Sequence, residues 1–133
     1  MVYPVLEFGG CCAEAIDFYA KVFDAENVEV RYYGDAPDGS GMSDSVKHPR
    51  WVMHSGIELG GGYVNMHDSE NGGGTAILNV TLPTAEDVTR VYNRLAEGGG
   101  RVAAELGPQF FNEMYGAVTD RFGIRWQLMV GHI

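Results

Sequence analysis

Residues 3–23, YPVLEFGGCCAEAIDFYAKVF, change their period halfway. Tyr3 to Phe8 is an apolar run closed by Gly9-Gly10, the composition of a strand entering a tight turn. From Cys12 the apolar positions become Cys12, Ala15/Ile16, Tyr19 and Val22/Phe23. Glu14, Asp17 and Lys21 lie between them, as on an amphipathic helix ending near Asp24. A strand follows from Asn27 to Tyr33. Residues 34–49 lack periodicity and are rich in Gly, Pro, Asp and Ser, so they read as a surface loop of the kind that serves a binding site. Two strands, Arg50–Leu59 and Gly62–His67, are then joined through Gly60-Gly61-Gly62, and 68–74 is a second glycine-rich loop.

The order then repeats. Thr75–Leu82 reads as a strand and Thr84 as a helix N-cap. Asp87 stands where a capping box prefers Glu or Gln. Val88, Val91/Tyr92 and Leu95 form the buried stripe, and Gly98-Gly99-Gly100 stops the helix. Strands are expected at 101–105, 113–119 and 124–130. Tyr19 and Tyr92 lie 73 residues apart, as do Pro4 and Ile77, whereas Asn65 and Gln127 lie 62 apart. The longer loop of the first half absorbs that deficit, so the pattern predicts a duplication. The expectation is one α+β domain over 1–133, with module one at about 1–68 and module two at about 75–133.

Composition narrows the function. A net charge of −9 argues against nucleic-acid binding, which needs a cationic surface. No stretch approaches the roughly 20 apolar residues of a membrane span. The first residues run straight into a strand pattern and lack the features of a signal peptide, so the expected location is cytoplasmic. Cys11 and Cys12 are adjacent, which disfavours a disulfide between them. They read as a helix-start pair in a reducing compartment.

The stretches 3–6 and 12–19, the segment from His54 to Met66-His67-Asp68, the helix end Leu95–Gly99 and the run Tyr115–Trp126 together resemble the PhnB-like branch of the glyoxalase/bleomycin-resistance/extradiol-dioxygenase (vicinal oxygen chelate) superfamily. The resemblance implies paired βαβββ modules whose curved sheets form a cup, and a homodimer. It also implies that metal-using relatives hold a divalent ion at four strand positions. Carried over by spacing, these are Pro4, Asn65, Ile77 (to within one residue) and Gln127. Apolar side chains and neutral amides are a poor shell for a divalent cation, so neither a metal nor another cofactor is expected.

Candidate site residues follow from the hairpin. With Gly60-Gly61 as a two-residue turn, Glu58 pairs with Tyr63, Gly56 with Asn65 and His54 with His67, all on one face. His54 and His67 are then an acid/base pair, half of a displaced metal site with Glu58, or two imidazoles satisfied locally. Asn65, Asn79 and Gln127 either bond to each other and to water or hold a ligand. Glu7 is expected to pair with an Arg or to face solvent. Phe8, Tyr63, Phe110, Phe111, Tyr115 and Trp126 supply the aromatic content of a small-molecule pocket, or simply pack in a core. The function expected is metal-independent binding of a small molecule. The alternatives are a His-dependent enzyme acting on a small polar metabolite, a metal-dependent glyoxalase or dioxygenase relative, or a structural or regulatory dimer whose cup is vestigial.

Overall fold

The computed structural model describes residues 1, 3–36, 47–72 and 76–131, so most of the predicted 34–49 loop lies outside the described residues. Residues 1–74 and 75–133 form two compact units. In the first, β1 (Val5–Phe8), α1 (Cys12–Val22), β2 (Val28–Tyr32), β3 (Val52–Leu59) and β4 (Gly62–Asp68) build a sheet of order β1-β4-β3-β2. In the second, β5 (Ile77–Leu82), α2 (Ala85–Glu97), β6 (Arg101–Gln109), β7 (Asn112–Thr119) and β8 (Arg125–Val130) give β5-β8-β7-β6. Each unit is β–α–β–β–β, with its first and last strands parallel and the other neighbours antiparallel. The class is α+β.

The hairpin register is the predicted one: Glu58 stands opposite Tyr63 and Gly56 opposite Asn65. Gly60 and Gly61 have φ of 55° and 83°, and two consecutive positive values make the primed turn that follows the twist of its strands. In the parallel ladders Val5 lies beside Asn65, whose backbone amide donates to the Pro4 carbonyl at 3.1 Å, and Asn79 lies beside Gln127. Each pair sits three residues before the last pair of its ladder. The first strands are therefore related by 74 residues and the helices, starting at Cys12 and Ala85, by 73.

Alternation assigns the faces. Leu6 and Phe8 of β1 and Val64, Met66 and Asp68 of β4 are buried on the side where α1 packs through Cys12, Ala15, Ile16, Tyr19 and Val22. In the second unit Val80, Leu82, Val118, Trp126, Leu128 and Val130 form the equivalent layer under Val88, Val91, Tyr92 and Leu95. Each fully buried aliphatic side chain contributes about 1.5–3 kcal/mol. The helices start differently. Thr84 Oγ1 accepts the Asp87 amide at 3.1 Å, the predicted cap. No side-chain cap comes from Cys11. Instead Asp68 Oδ1, at the end of β4, accepts the amides of Gly10 (2.8 Å) and Cys12 (3.0 Å), and its Oδ2 accepts that of Val52 (3.0 Å).

β6 runs to Gln109, beyond the predicted end at 105, and includes Gly107-Pro108, which the sequence placed in a loop. It is the last strand of its sheet and its ladder slips three times. An irregular edge strand is where a proline, lacking its N–H, costs no ladder bond.

Candidate functional site

The face of each sheet turned away from its own helix carries the unexplained polar residues. In the first unit these are Glu7 on β1, His54, Gly56 and Glu58 on β3, and Tyr63, Asn65 and His67 on β4. Arg31 lies in register with His54 and Glu29 with Gly56. The Tyr63 ring lies over Gly56, where an added Cβ would collide with its hydroxyl. Tyr3 packs edge-on against the same ring, with centroids 5.3 Å apart. Beside them is a hollow of about 620 Å³, lined by Asn27, Glu29, Gly56, Glu58 and Tyr63 among others. Glu58 Oε2 accepts the Asn27 amide at 3.0 Å.

His67 does not bond to His54. Its Nε2 lies 2.9 Å from Glu7 Oε2, its neighbour in the parallel ladder. The partner expected for Glu7 was an arginine or solvent; the structure gives it an imidazole. The β3–β4 ladder ends at Gly56–Asn65, and His54 is exposed in register with Arg31. Asn65 Oδ1 is buried and has no hydrogen-bond partner among the described residues. A buried carbonyl left in that state costs about 1–3 kcal/mol, so it calls for a donor.

Phe8 leaves the candidate list: it is 3% exposed, packed with Leu6 on the helix side. Trp126 leaves it too, buried with its indole N–H donated to Asp120 Oδ2 at 2.8 Å. Alternation puts Leu6 and Phe8 on the helix side, the core alternative for Phe8, and Val5 and Glu7 on the other.

In the second unit Asn79, Gln127 and Ala117 lie in one row. Asn79 is exposed rather than mostly buried as expected. Tyr115 neighbours Met129 in register. Phe110 and Phe111 form the two-residue turn between β6 and β7. Phe110 is fully exposed, and edge-on contacts of 5.2 Å run from it to Phe111 and from Phe111 to Tyr115.

Two chemistries can be weighed at these positions. Burial, with the Asp68 carboxylate next, pushes the Cys12 thiol far above the usual thiol range. A thiolate nucleophile there is not available at neutral pH. The resemblance carries the metal ligands of relatives to Asn65 and Gln127 on the last strands, whose neighbours in the parallel ladders are Val5 and Asn79: one aliphatic side chain and three neutral amides. That donor set does not fit a divalent ion, which needs anionic oxygen, imidazole or thiolate. Among the described residues no three His, Cys, Asp or Glu side chains are grouped to hold one.

A family model described as the Glyoxalase/Bleomycin resistance protein/Dioxygenase superfamily matches residues 8–128. The chain belongs to that superfamily. Protein YjdN of Escherichia coli K12 is 26% identical, the match covering 96% of this chain and 92% of that one. Among solved structures, protein PA1353 from Pseudomonas aeruginosa superposes with a TM-score of 0.76 at 28% identity, over 98% of this chain and 96% of that one. A PhnB protein from Bacillus cereus gives 0.76 at 29%, over 98% of both. The structural neighbours thus include PhnB-like proteins, as the motifs implied. No helix of the described residues is long and apolar enough to cross a membrane.

Proposed function

We propose that this chain is a small-molecule-binding protein that works without a metal ion, its ligand seated against the sheet face that carries Asn65. The single observation that carries the reading is the Asn65 carbonyl, buried and without a hydrogen-bond partner among the described residues, at a position to which the resemblance carries a metal ligand of relatives. A neutral acceptor flanked by Val5 suits an N–H or O–H of an organic molecule better than a cation. Tyr63 and Tyr3 supply aromatic surface beside it, and the hollow next to Tyr63 is of the size small organic ligands occupy. Phe110, Phe111, Tyr115, Asn79 and Gln127 make an aromatic and amide surface of similar character in the second unit. A cytoplasmic homodimer is the setting that the composition and the resemblance suggest.

The test is calorimetry of metal-stripped protein against a panel of small aromatic and hydroxylated compounds, with and without EDTA. Saturable binding should survive EDTA and weaken about tenfold in Asn65→Ala, the effect of one hydrogen bond. Binding that appears only after a divalent ion is added would overturn the reading.

A further inference from the structure

We propose that Glu7 and His67 form a proton-transfer dyad, with His67 Nδ1 as the base, acting on a small organic molecule that carries a weakly acidic proton. The proposal rests on the reading of this face as the ligand surface and adds a chemical step to it.

An ionised carboxylate only accepts hydrogen bonds, so the 2.9 Å contact between Glu7 Oε2 and His67 Nε2 places the proton on Nε2. That fixes the tautomer and leaves the lone pair on Nδ1, which has no hydrogen-bond partner among the described residues. The pair is open to a ligand: the side chains of His67 and Glu7 are 29% and 41% exposed. Asn65 and His67 are two residues apart on β4 and share a face, which puts them roughly 7 Å apart. A molecule of modest size that donates to the Asn65 carbonyl therefore reaches the imidazole. The arrangement has the three parts of a positioned base: an acceptor that holds the substrate, a nitrogen with a free lone pair, and a carboxylate that orients the ring. The imidazolium formed on proton uptake stays beside that carboxylate. Among the described residues His54 has no such partner: its register neighbour is Arg31.

The probe is 5-nitrobenzisoxazole, a flat carbon acid that reports on any positioned base. Nδ1 takes the C3 proton, and the C–H electron pair becomes the third bond of a nitrile. The N–O bond breaks, and its electrons stay on oxygen as the coloured 2-cyano-4-nitrophenolate. The imidazolium then returns its proton to water, so no oxidant or co-reactant is needed.

Per mole, the protein should act about a hundredfold faster than free imidazole, the lower range for a positioned acid or base. His67→Ala should remove that gain, while His48→Ala, which alters an imidazole paired with Glu70, should keep it. Glu7→Gln should cut the rate about tenfold at an unchanged melting temperature. It should also shift the His67 ring-nitrogen resonances away from the single Nε2–H tautomer expected in the parent, a change that a merely structural role would not produce. A rate no better than imidazole, or one indifferent to His67→Ala, overturns the dyad. Saturation separates the two readings. A His67-dependent rate that never saturates upholds the dyad and contradicts the ligand surface. Saturation with a His67-independent rate does the reverse.

Discussion

Asp68 closes β4 of the first unit, and Val130 stands at the matching place in β8 of the second. The carboxylate gathers three backbone amides from the α1 start and the head of β3. Around Val130 the same need is met by a neutral amide, since Asn112 donates to the Val130 carbonyl at 2.9 Å and accepts its N–H at 3.1 Å. The second unit's buried acid, Asp120, serves the β7–β8 turn instead, accepting from Phe122, Ile124 and Trp126. The opposite faces diverge as well. Glu7, Glu29, Arg31, His54, Glu58 and His67 crowd that of the first sheet, whereas that of the second combines Asn79, Gln127, Met129 and Tyr115 with Arg125. The two units share one strand order, and among the described residues both histidines of these faces, His54 and His67, lie in the first.

Replacing the two buried acids in turn tests whether the units depend on them unequally. Asp68→Ala strands three amides belonging to two elements, and at about 1–3 kcal/mol per unsatisfied group should cost about 4 kcal/mol. Asp120→Ala should cost about 2 kcal/mol: each carboxylate serves one part-buried amide, Gly10 and Phe122, but the donors to Asp120 all lie within six residues in one turn, which can shift to recover water. Chemical denaturation of both variants measures the gap. Equal losses would break the contrast.

Helix starts give a smaller version of the same contrast. α2 is capped from its own chain neighbourhood, so Thr84→Ala should lower stability by about 1 kcal/mol, a routine cap loss. The α1 cap comes from 56 residues away, so its removal is counted already in the Asp68 variant. A Thr84→Ala loss as large as that of Asp68→Ala would show that both helices lean on their caps alike.

What the sequence makes legible follows the range of the interaction. Periodicity and glycine placement mark both helices and the Gly60-Gly61 hairpin, because those signals act within a few residues. Thr84 is readable for the same reason. Asp68 reads as the first residue of a loop, since its three partners lie far along the chain. The Glu7–His67 pair depends on a parallel register across 60 residues, which local pattern does not set. The clue was nonetheless present: Leu6 and Phe8 alternate with Val5 and Glu7, and that alternation alone puts Phe8 in the core. At β6, Gly107-Pro108 reads as a loop because proline usually ends a strand, yet an edge position tolerates it.

The proposed ligand donates a hydrogen bond to the buried carbonyl of Asn65 in place of a cation. Amide chemical-shift mapping of metal-free protein during titration with a compound that binds it addresses this directly. Perturbations should gather at Glu7, Gly56, Tyr63, Asn65 and His67 and stay the same when EDTA is present. Perturbations confined to other residues, or a cluster here that forms only with a divalent ion, would contradict it.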